Sequence, residues 1–183
     1  MKIRAVISRV TVIGVLLALC PVIETISAEP NSLPSGAVTC EGSAYIIDPD
    51  PKGTNVRSAP GRESSVLYVI PYDFEGTEVE VSAFSDGWVL IRSADGPTTD
   101  FHSKRQGWIH VSLLATTAVH PSGRKVPLYS SSDKRSPVIE MIAGEKEAKL
   151  EGCIGGWRHV KIGKQRGWLA PGDSCGNPVT TCP

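Results

Sequence analysis

The side chains best suited to catalysis are the four histidines, His102, His110, His120 and His159, together with the cysteines. A cysteine hydrolase needs a free thiolate beside an imidazole that can carry the proton. The cysteines of this chain are better explained as oxidised pairs, which removes the nucleophile. The chain also has no Gly-x-Ser-x-Gly elbow, no His-Glu-x-x-His and no phosphate loop. The sequence therefore predicts no catalytic residue, no cofactor and no enzyme.

Metal binding is also not predicted. His102 and His110 have no third ligand in view, so they are expected to be solvated or to lie at the edge of the core. Asp48 and Asp50 are close in sequence, but each is followed by a proline, which is typical of an exposed linker rather than of an acid/base pair.

The cysteines predict two disulfides. If an N-terminal leader carrying Cys20 is removed, the even set Cys40, Cys153, Cys175 and Cys182 remains. A zinc site would need closely spaced ligand pairs, which these spacings do not supply. Four cysteines permit three connectivities. The preferred one joins Cys153 to Cys175 and Cys40 to Cys182, which would fasten the two ends of the mature chain together.

Residues 1–28 are predicted to be a secretory signal. A basic start precedes the apolar run 10–19, and the segment ends on small residues at Ala28. The run is short for a membrane span, which needs roughly 20 residues. Cys20 resembles a lipoprotein acceptor, but Leu19 stands where that motif has a small residue. The favoured expectation is cleavage after Ala28 and a periplasmic protein with no membrane span; an uncleaved anchor and a lipid anchor are the alternatives.

Charge excludes one class of partner. The 183-residue chain has 19 basic and 19 acidic side chains, so it lacks the basic surplus of a nucleic-acid-binding domain. Its 18 glycines and 14 prolines indicate many turns and few long helices.

Two segments carry the same landmarks in the same order. Each has short runs rich in β-branched and aromatic residues, bounded by Gly, Asp or Ser, and two Gly-Trp pairs, which is the pattern of a small all-β unit. The paired stretches are 56–60 with 128–132, 66–70 with 138–142, 77–81 with 148–152, 87–91 with 156–160, and 107–109 with 167–169.

The first segment resembles a bacterial SH3-like domain (SH3b). The resemblance rests on residues 55–60, Asn-Val-Arg-Ser-Ala-Pro, on Ser-Ser-Val-Leu, and on Asp-Gly-Trp followed by Gly-Trp-Ile. It is strong over 54–114 and weaker over 126–172. It implies an all-β protein of two tandem, strongly bent β-barrels stabilised by disulfides. The expected organisation is a signal peptide 1–28, an N-terminal segment 29–53, a first domain 54–116, a linker 117–125, a second domain 126–172 and a Cys-containing tail 173–183.

The first segment also carries an insertion. Trp88 and Trp108 are 20 positions apart, whereas Trp157 and Trp168 are 11 apart. The extra residues form a polar loop near 93–104, and loops on a rigid scaffold often carry binding. The alternative is a solvated hairpin extension. The four tryptophans recur at strand starts in both segments, so we expect core or rim packing for most of them; the alternative is an aromatic platform for a peptide or glycan.

The predicted ligand-binding residues are those that the fold does not require, because the second segment lacks them. They are Arg57, Arg62, Tyr72 and Phe101, together with His102 from the loop. Either arginine can pair with a ligand carboxylate, although an ordinary surface ion pair is the commoner role of such a residue.

The resemblance implies recognition of a cell-wall (peptidoglycan) peptide or another envelope peptide by a non-catalytic module. A second hypothesis is a periplasmic inhibitor or immunity-type protein that blocks a secreted toxin or a cell-wall hydrolase. In that case the 95–104 loop would enter the cleft of the partner.

Overall fold

The chain is built of short β-strands. The computed structural model describes residues 33–176, and the predicted all-β class is confirmed there, since the one helical element is a 3₁₀ turn at Val111–Leu113. Within this range no helix is long and apolar enough to cross a bilayer. The strands are β1 Val38–Thr39, β2 Ser43–Ile46, β3 Thr54–Arg57, β4 Val66–Ile70, β5 Glu78–Ser85, β6 Trp88–Asp95, β7 His102–Ser103, β8 Gly107–His110, β9 Leu114–Ala118, β10 Val126–Tyr129, β11 Val138–Ile142, β12 Lys146–Ile154, β13 Trp157–Ile162, β14 Gln165–Leu169 and β15 Ser174–Cys175.

All 15 strands join in one sheet. Its order is β11-β10-β14-β13-β12-β9-β2-β5-β6-β8-β3-β4, with β1 paired to β5, β15 to β9 and β7 to β6. Each pairing is antiparallel, and β9 connects the two halves by lying between β2 and β12. The sheet is continuous and does not close, so the more detailed prediction of two separate barrels stays a prediction.

The long hairpin of β5 and β6 shows how local sequence specifies the strands. Two residues, Asp86 and Gly87, connect Ser85 to Trp88, and both have positive φ, 47° and 81°. A two-residue turn with positive φ at both positions matches the right-handed twist of its strands, and Asp-Gly is a preferred pair there. The turn therefore sets the register of two eight-residue strands.

One apolar core is shared by both halves of the sheet. The strands alternate between inward and outward side chains, as the two-residue period of a β-strand requires. The largest fully buried side chains include, from the first half, Val56, Ile70, Ile91 and Ile109, and from the second half, Leu128, Leu150 and Leu169. Because the same cluster contains residues of both halves, each half contributes to the burial of the other.

The predicted disulfide connectivity is wrong, because Cys40 is bonded to Cys153. Directly after β1, Cys40 forms an isolated β-bridge with Gly155. The Gly155 amide donates to the carbonyl oxygen of Thr39 at 2.7 Å. This pairing brings Cys40 beside β12 although 113 positions separate the two cysteines. Cys175 is disulfide-bonded as well, and Cys182 lies outside the described residues. The residues of the predicted signal peptide also lie outside them.

The tryptophans of the two halves differ in burial. Trp88 and Trp108 are buried, with 8% and 5% of their surface exposed, and they form a small cluster with Ala83. Trp157 and Trp168 are half-buried, in contact with Tyr129 and His159 respectively. Packing in the core is thus confirmed for the first pair, whereas the second pair lies at the rim.

The difference in burial predicts that replacing tryptophan by alanine lowers stability by different amounts in the two halves. Trp108→Ala should lower the free energy of unfolding by about 3–5 kcal/mol, the usual cost of removing a large buried aromatic side chain. Trp168→Ala should cost clearly less, because part of that side chain is already in contact with water. Urea unfolding followed by circular dichroism measures both, and equal costs would contradict the assignment.

The disulfide should contribute strongly because of the length of chain that it closes. Replacing both Cys40 and Cys153 by serine should lower the free energy of unfolding by about 4–5 kcal/mol, since the cross-link restricts the unfolded chain over more than a hundred residues. Denaturant unfolding of the double variant beside the wild type measures the loss. A loss under about 1 kcal/mol would show that strain or residual structure cancels the entropic gain.

Candidate functional site

An exposed apolar strip runs along one end of the sheet. β4 is the terminal strand, and among the described residues only β3 pairs with it. Ile70 is buried, but Val66, Leu67 and Val69 each leave more than two-fifths of their surface exposed. An exposed edge strand offers free backbone groups as well as side chains, so proteins usually protect such edges. We call Val66, Leu67, Val69 and the aromatic residues that follow them, Tyr72 and Phe74, the β4 surface.

The predicted arginines lie at the hairpin that begins the β4 surface. Arg57 is half-buried, and its Nη1 donates to the carbonyl oxygen of Ser64 at 2.7 Å. The Ser64 hydroxyl is within 2.6 Å of the carbonyl oxygens of Ala59 and Gly61. Arg57 is therefore engaged in closing its own hairpin, whereas Arg62, at the tip, is exposed.

Two aromatic side chains end the β4 surface. Tyr72, a predicted ligand residue, is 46% exposed, and Phe74 is 73% exposed. Asp73 between them is buried, so the chain alternates outward, inward and outward at this point. Sequence reasoning missed Phe74, although its position between two acidic residues just before Gly76 is itself a signal of an exposed turn.

Asp73 fastens the inserted loop to the base of this surface. Its carboxylate accepts hydrogen bonds from the Thr98 amide at 2.9 Å, the Thr98 hydroxyl at 2.7 Å and the Glu75 amide at 3.0 Å. Burial by itself would raise the pKa of Asp73, but the hydrogen bonds from Thr98 and Glu75 together lower it below its ordinary value. The loop therefore has a fixed position beside Tyr72.

The two predicted loop residues face different surroundings. Phe101 is half-buried and packs against the main core, and its carbonyl oxygen accepts from the Gly96 amide at 2.8 Å. His102 is exposed, with Nδ1 2.7 Å from Oδ1 of Asp95, and lines a polar hollow of about 450 Å³ with Glu80. No residue lining that hollow belongs to the β4 surface. The aromatic ring that would serve as the anchor of an inhibitory loop is thus used in internal packing.

Tyr68 and Arg105, which sequence reasoning missed, brace the middle of β4. The Arg105 guanidinium lies 4.5 Å from the centre of the Tyr68 ring, which is a cation–π contact. The Tyr68 hydroxyl donates to the Arg105 carbonyl oxygen at 2.6 Å, and Arg105 Nη2 donates to the carbonyl oxygen of Leu67 at 3.3 Å. Burial raises the pKa of Tyr68. A basic group therefore stands beside the apolar strip.

Comparison with known proteins gives one family match and remote similarity to solved structures. Residues 52–115 match the family model of the bacterial SH3 domain. No curated protein matches the chain. Among solved structures, NlpC1 and NlpC2 from Trichomonas vaginalis are 11% and 14% identical, each with a TM-score of 0.30. The alignments cover 73% of this chain but only 45% and 47% of those two proteins. The β4 surface lies within the matched stretch.

The bonds of Asp73 predict a pH-dependent contribution to stability. A carboxyl whose pKa is lower in the folded state stabilises the protein above its unfolded pKa, and this contribution is lost as the pH falls through the folded pKa. Wild type should therefore lose stability as the pH falls below about pH 5. Asp73→Asn, which cannot accept both Thr98 bonds, should be less stable at pH 7 and lose less on acidification. Parallel pH profiles of unfolding for the two proteins would contradict this role.

Proposed function

We propose that the protein is a non-catalytic, exported binding module that recognises a cell-wall peptide or another envelope peptide on the β4 surface. The single observation that carries the proposal is an apolar, solvent-exposed edge strand within the stretch that matches the bacterial SH3 domain. The described cysteines, all disulfide-bonded, support an oxidising compartment such as the periplasm.

The β4 surface suits an extended peptide. A chain laid beside an edge strand gains main-chain hydrogen bonds, while its alternate side chains meet the surface of the sheet. The five residues of β4 span about 17 Å, which matches roughly five peptide residues. Leu67 and Val69 supply the apolar contact. Arg62 offers a cation at one end, and Tyr72 and Phe74 offer aromatic faces at the other.

We also propose that the second half is a divergent copy of the same unit, and its strand pairings support this. β3 pairs with β4 and β8, and β10 pairs with β11 and β14. Arg57 pairs with Trp108, and Tyr129, 72 positions after Arg57, pairs with Trp168. The register shifts in both hairpins at these two residues, Arg57 and Tyr129.

Close contacts of the first half recur in the second half. The Ser58 amide donates to the Ser65 carbonyl oxygen, and 72 positions later the Ser130 amide donates to that of Pro137, both at 2.9 Å. A Cβ at Gly107 would lie 2.3 Å from a Val56 methyl group, and one at Gly167 would lie 2.8 Å from Leu128. Both copies therefore need glycine before the second tryptophan.

In this proposal β9 belongs to both copies. It pairs with β2 as the last strand of the first copy, with Tyr45 opposite Ala115. It also pairs with β12 as the first strand of the second copy, with Thr116 opposite Ala148. This matches the pairing of β2 with β5 in the first copy, where Ala44 lies opposite Val79. The two copies would then share a strand rather than being two separate domains joined by a linker.

Sedimentation with purified cell-wall sacculi tests the function. We expect the periplasmically expressed, oxidised protein to be retained, and a soluble stem peptide to release it. Leu67→Lys should reduce retention about tenfold or more, as expected when a central apolar contact is replaced by a charge. Absence of retention for the wild type would overturn wall binding.

The chain offers a matched control on its other edge strand. Ile139 stands 72 positions after Leu67, on β11, and is similarly exposed. Ile139→Lys should leave retention unchanged if the β4 surface is specific. Equal losses in both variants would indicate non-specific apolar adhesion and would contradict the proposed site.

A further inference from the structure

A buried arginine in the second half stands where the first half has a buried valine. Arg158 on β13 lies opposite Cys153, and only 3% of its surface is exposed. The corresponding residue of β6, 69 positions earlier, is Val89, which is fully buried opposite Phe84. The same strand position therefore accepts an apolar side chain, and the sheet itself does not require a guanidinium there.

The guanidinium of Arg158 lacks a carboxylate partner. Nη2 donates to the Glu41 carbonyl oxygen and Nη1 lies 3.5 Å from the Trp157 carbonyl oxygen, while Nε has no hydrogen-bond partner. Within residues 33–176 no acidic oxygen comes within 4.0 Å of it. Burial lowers the pKa of Arg158 to about 10, against an opposing effect of the Glu41 charge. The Glu41 carboxylate acts on the guanidinium from beyond 4.0 Å, so the buried charge has no directly paired counter-ion, which is costly.

Arg158 lines a cavity in the described part of the chain. The cavity has a volume of about 630 Å³, within the range of small-ligand sites, and Ser43 and Ser174 also line it. Gly42, with φ of +100°, leaves room for the side chain, since a Cβ there would lie 2.7 Å from Nη2 of Arg158. The backbone is therefore shaped around the guanidinium.

We propose that the Arg158 cavity binds a single carboxylate group, as carried by the free C-terminus of a peptide. A guanidinium donates two parallel hydrogen bonds to a carboxylate, and the hydroxyl groups of Ser43 and Ser174 can add further donors. Glu41 and Glu78 also line the cavity, and their repulsion of anions is weaker for a single carboxylate than for a ligand of higher negative charge such as phosphate. This site is separate from the β4 surface and does not depend on the proposed wall binding.

Calorimetric titration of the full chain tests the proposal with acetyl-Ala-Ala and its C-terminal amide. We expect the acid to bind at least about tenfold more tightly than the amide, the usual value of a charge-assisted hydrogen bond. If acetate binds as tightly as the peptide acid, the carboxylate alone is the ligand. If acetate binds more weakly than the peptide acid, the rest of the peptide contributes as well. Both results support the site. Equal binding of acid and amide, no binding of either acid or acetate, or equal binding of inorganic phosphate would overturn it.

Three variants separate ligand binding from a structural role. Arg158→Met keeps much of the side-chain volume without the charge, and should lose acid binding while its melting temperature stays at or above that of the wild type. Arg158→Lys should bind more weakly because it lacks the planar fork. Arg166→Met, which removes an exposed arginine 2.8 Å from Glu151, should bind as the wild type does.

The pattern of results decides between the two roles. Undiminished acid binding in Arg158→Met, with a lowered melting temperature, would make Arg158 a structural prop and overturn the proposal. If Arg158→Met does not fold, the comparison of acid with amide on the wild type and on Arg158→Lys decides the matter. An acid preference that is the same in both proteins would then also count against the site.

Discussion

The structure depends on the pairing of β9 with neighbours on both of its edges. Backbone amide and carbonyl groups of a buried strand must be paired, and β9 meets this requirement through β2, β12 and β15. Its side chains are small enough for close packing: Ala115, Thr116 and Ala118 are fully buried. The Thr116 hydroxyl donates to the Cys175 carbonyl oxygen at 2.7 Å. With this strand in place, both halves share one sheet and one core.

In the proposed repeat, one half serves as a reference for the other. Positions that keep their chemistry, such as Gly107 and Gly167 before the second tryptophan, are explained by close contacts that both halves make. Positions that change are not required by the shared fold and are therefore candidates for function. Val89 and Arg158 are the sharpest contrast, because burial is the same and charge differs. Arg57 and Tyr129 differ in another way, since Arg57 closes its own hairpin whereas Tyr129 packs on Trp157.

The two edge strands differ in what surrounds them. Each end of the sheet has exposed apolar side chains, Val66 and Leu67 on β4 and Val138 and Ile139 on β11. Only β4 is flanked by an inserted loop, which Asp73 holds through Thr98, and by the aromatic pair Tyr72 and Phe74. In the proposed function, a rigid scaffold with a fixed loop beside this edge strand limits the entropy lost when a peptide binds.

Local sequence alone determined the strands, the turns and the repeat of landmarks. Asp86 and Gly87 specify a tight turn through their backbone preferences, and alternation along β5 and β6 specifies the inward faces. These properties depend on neighbouring residues, so they can be predicted without a fold. The match of residues 52–115 to the bacterial SH3 domain agrees with the resemblance seen in the sequence.

Contacts between distant segments were decided only by the tertiary structure. Cys40 bonds to Cys153 because β1 and the end of β12 lie side by side, whereas distance along the chain favoured Cys175 as the partner of Cys153. Phe101 turns toward the core, and the burial of Arg158 leaves no trace in its sequence neighbours. The physical reason is that spacing along the chain specifies which face of a strand a side chain occupies, but the pairing of strands specifies what that face meets.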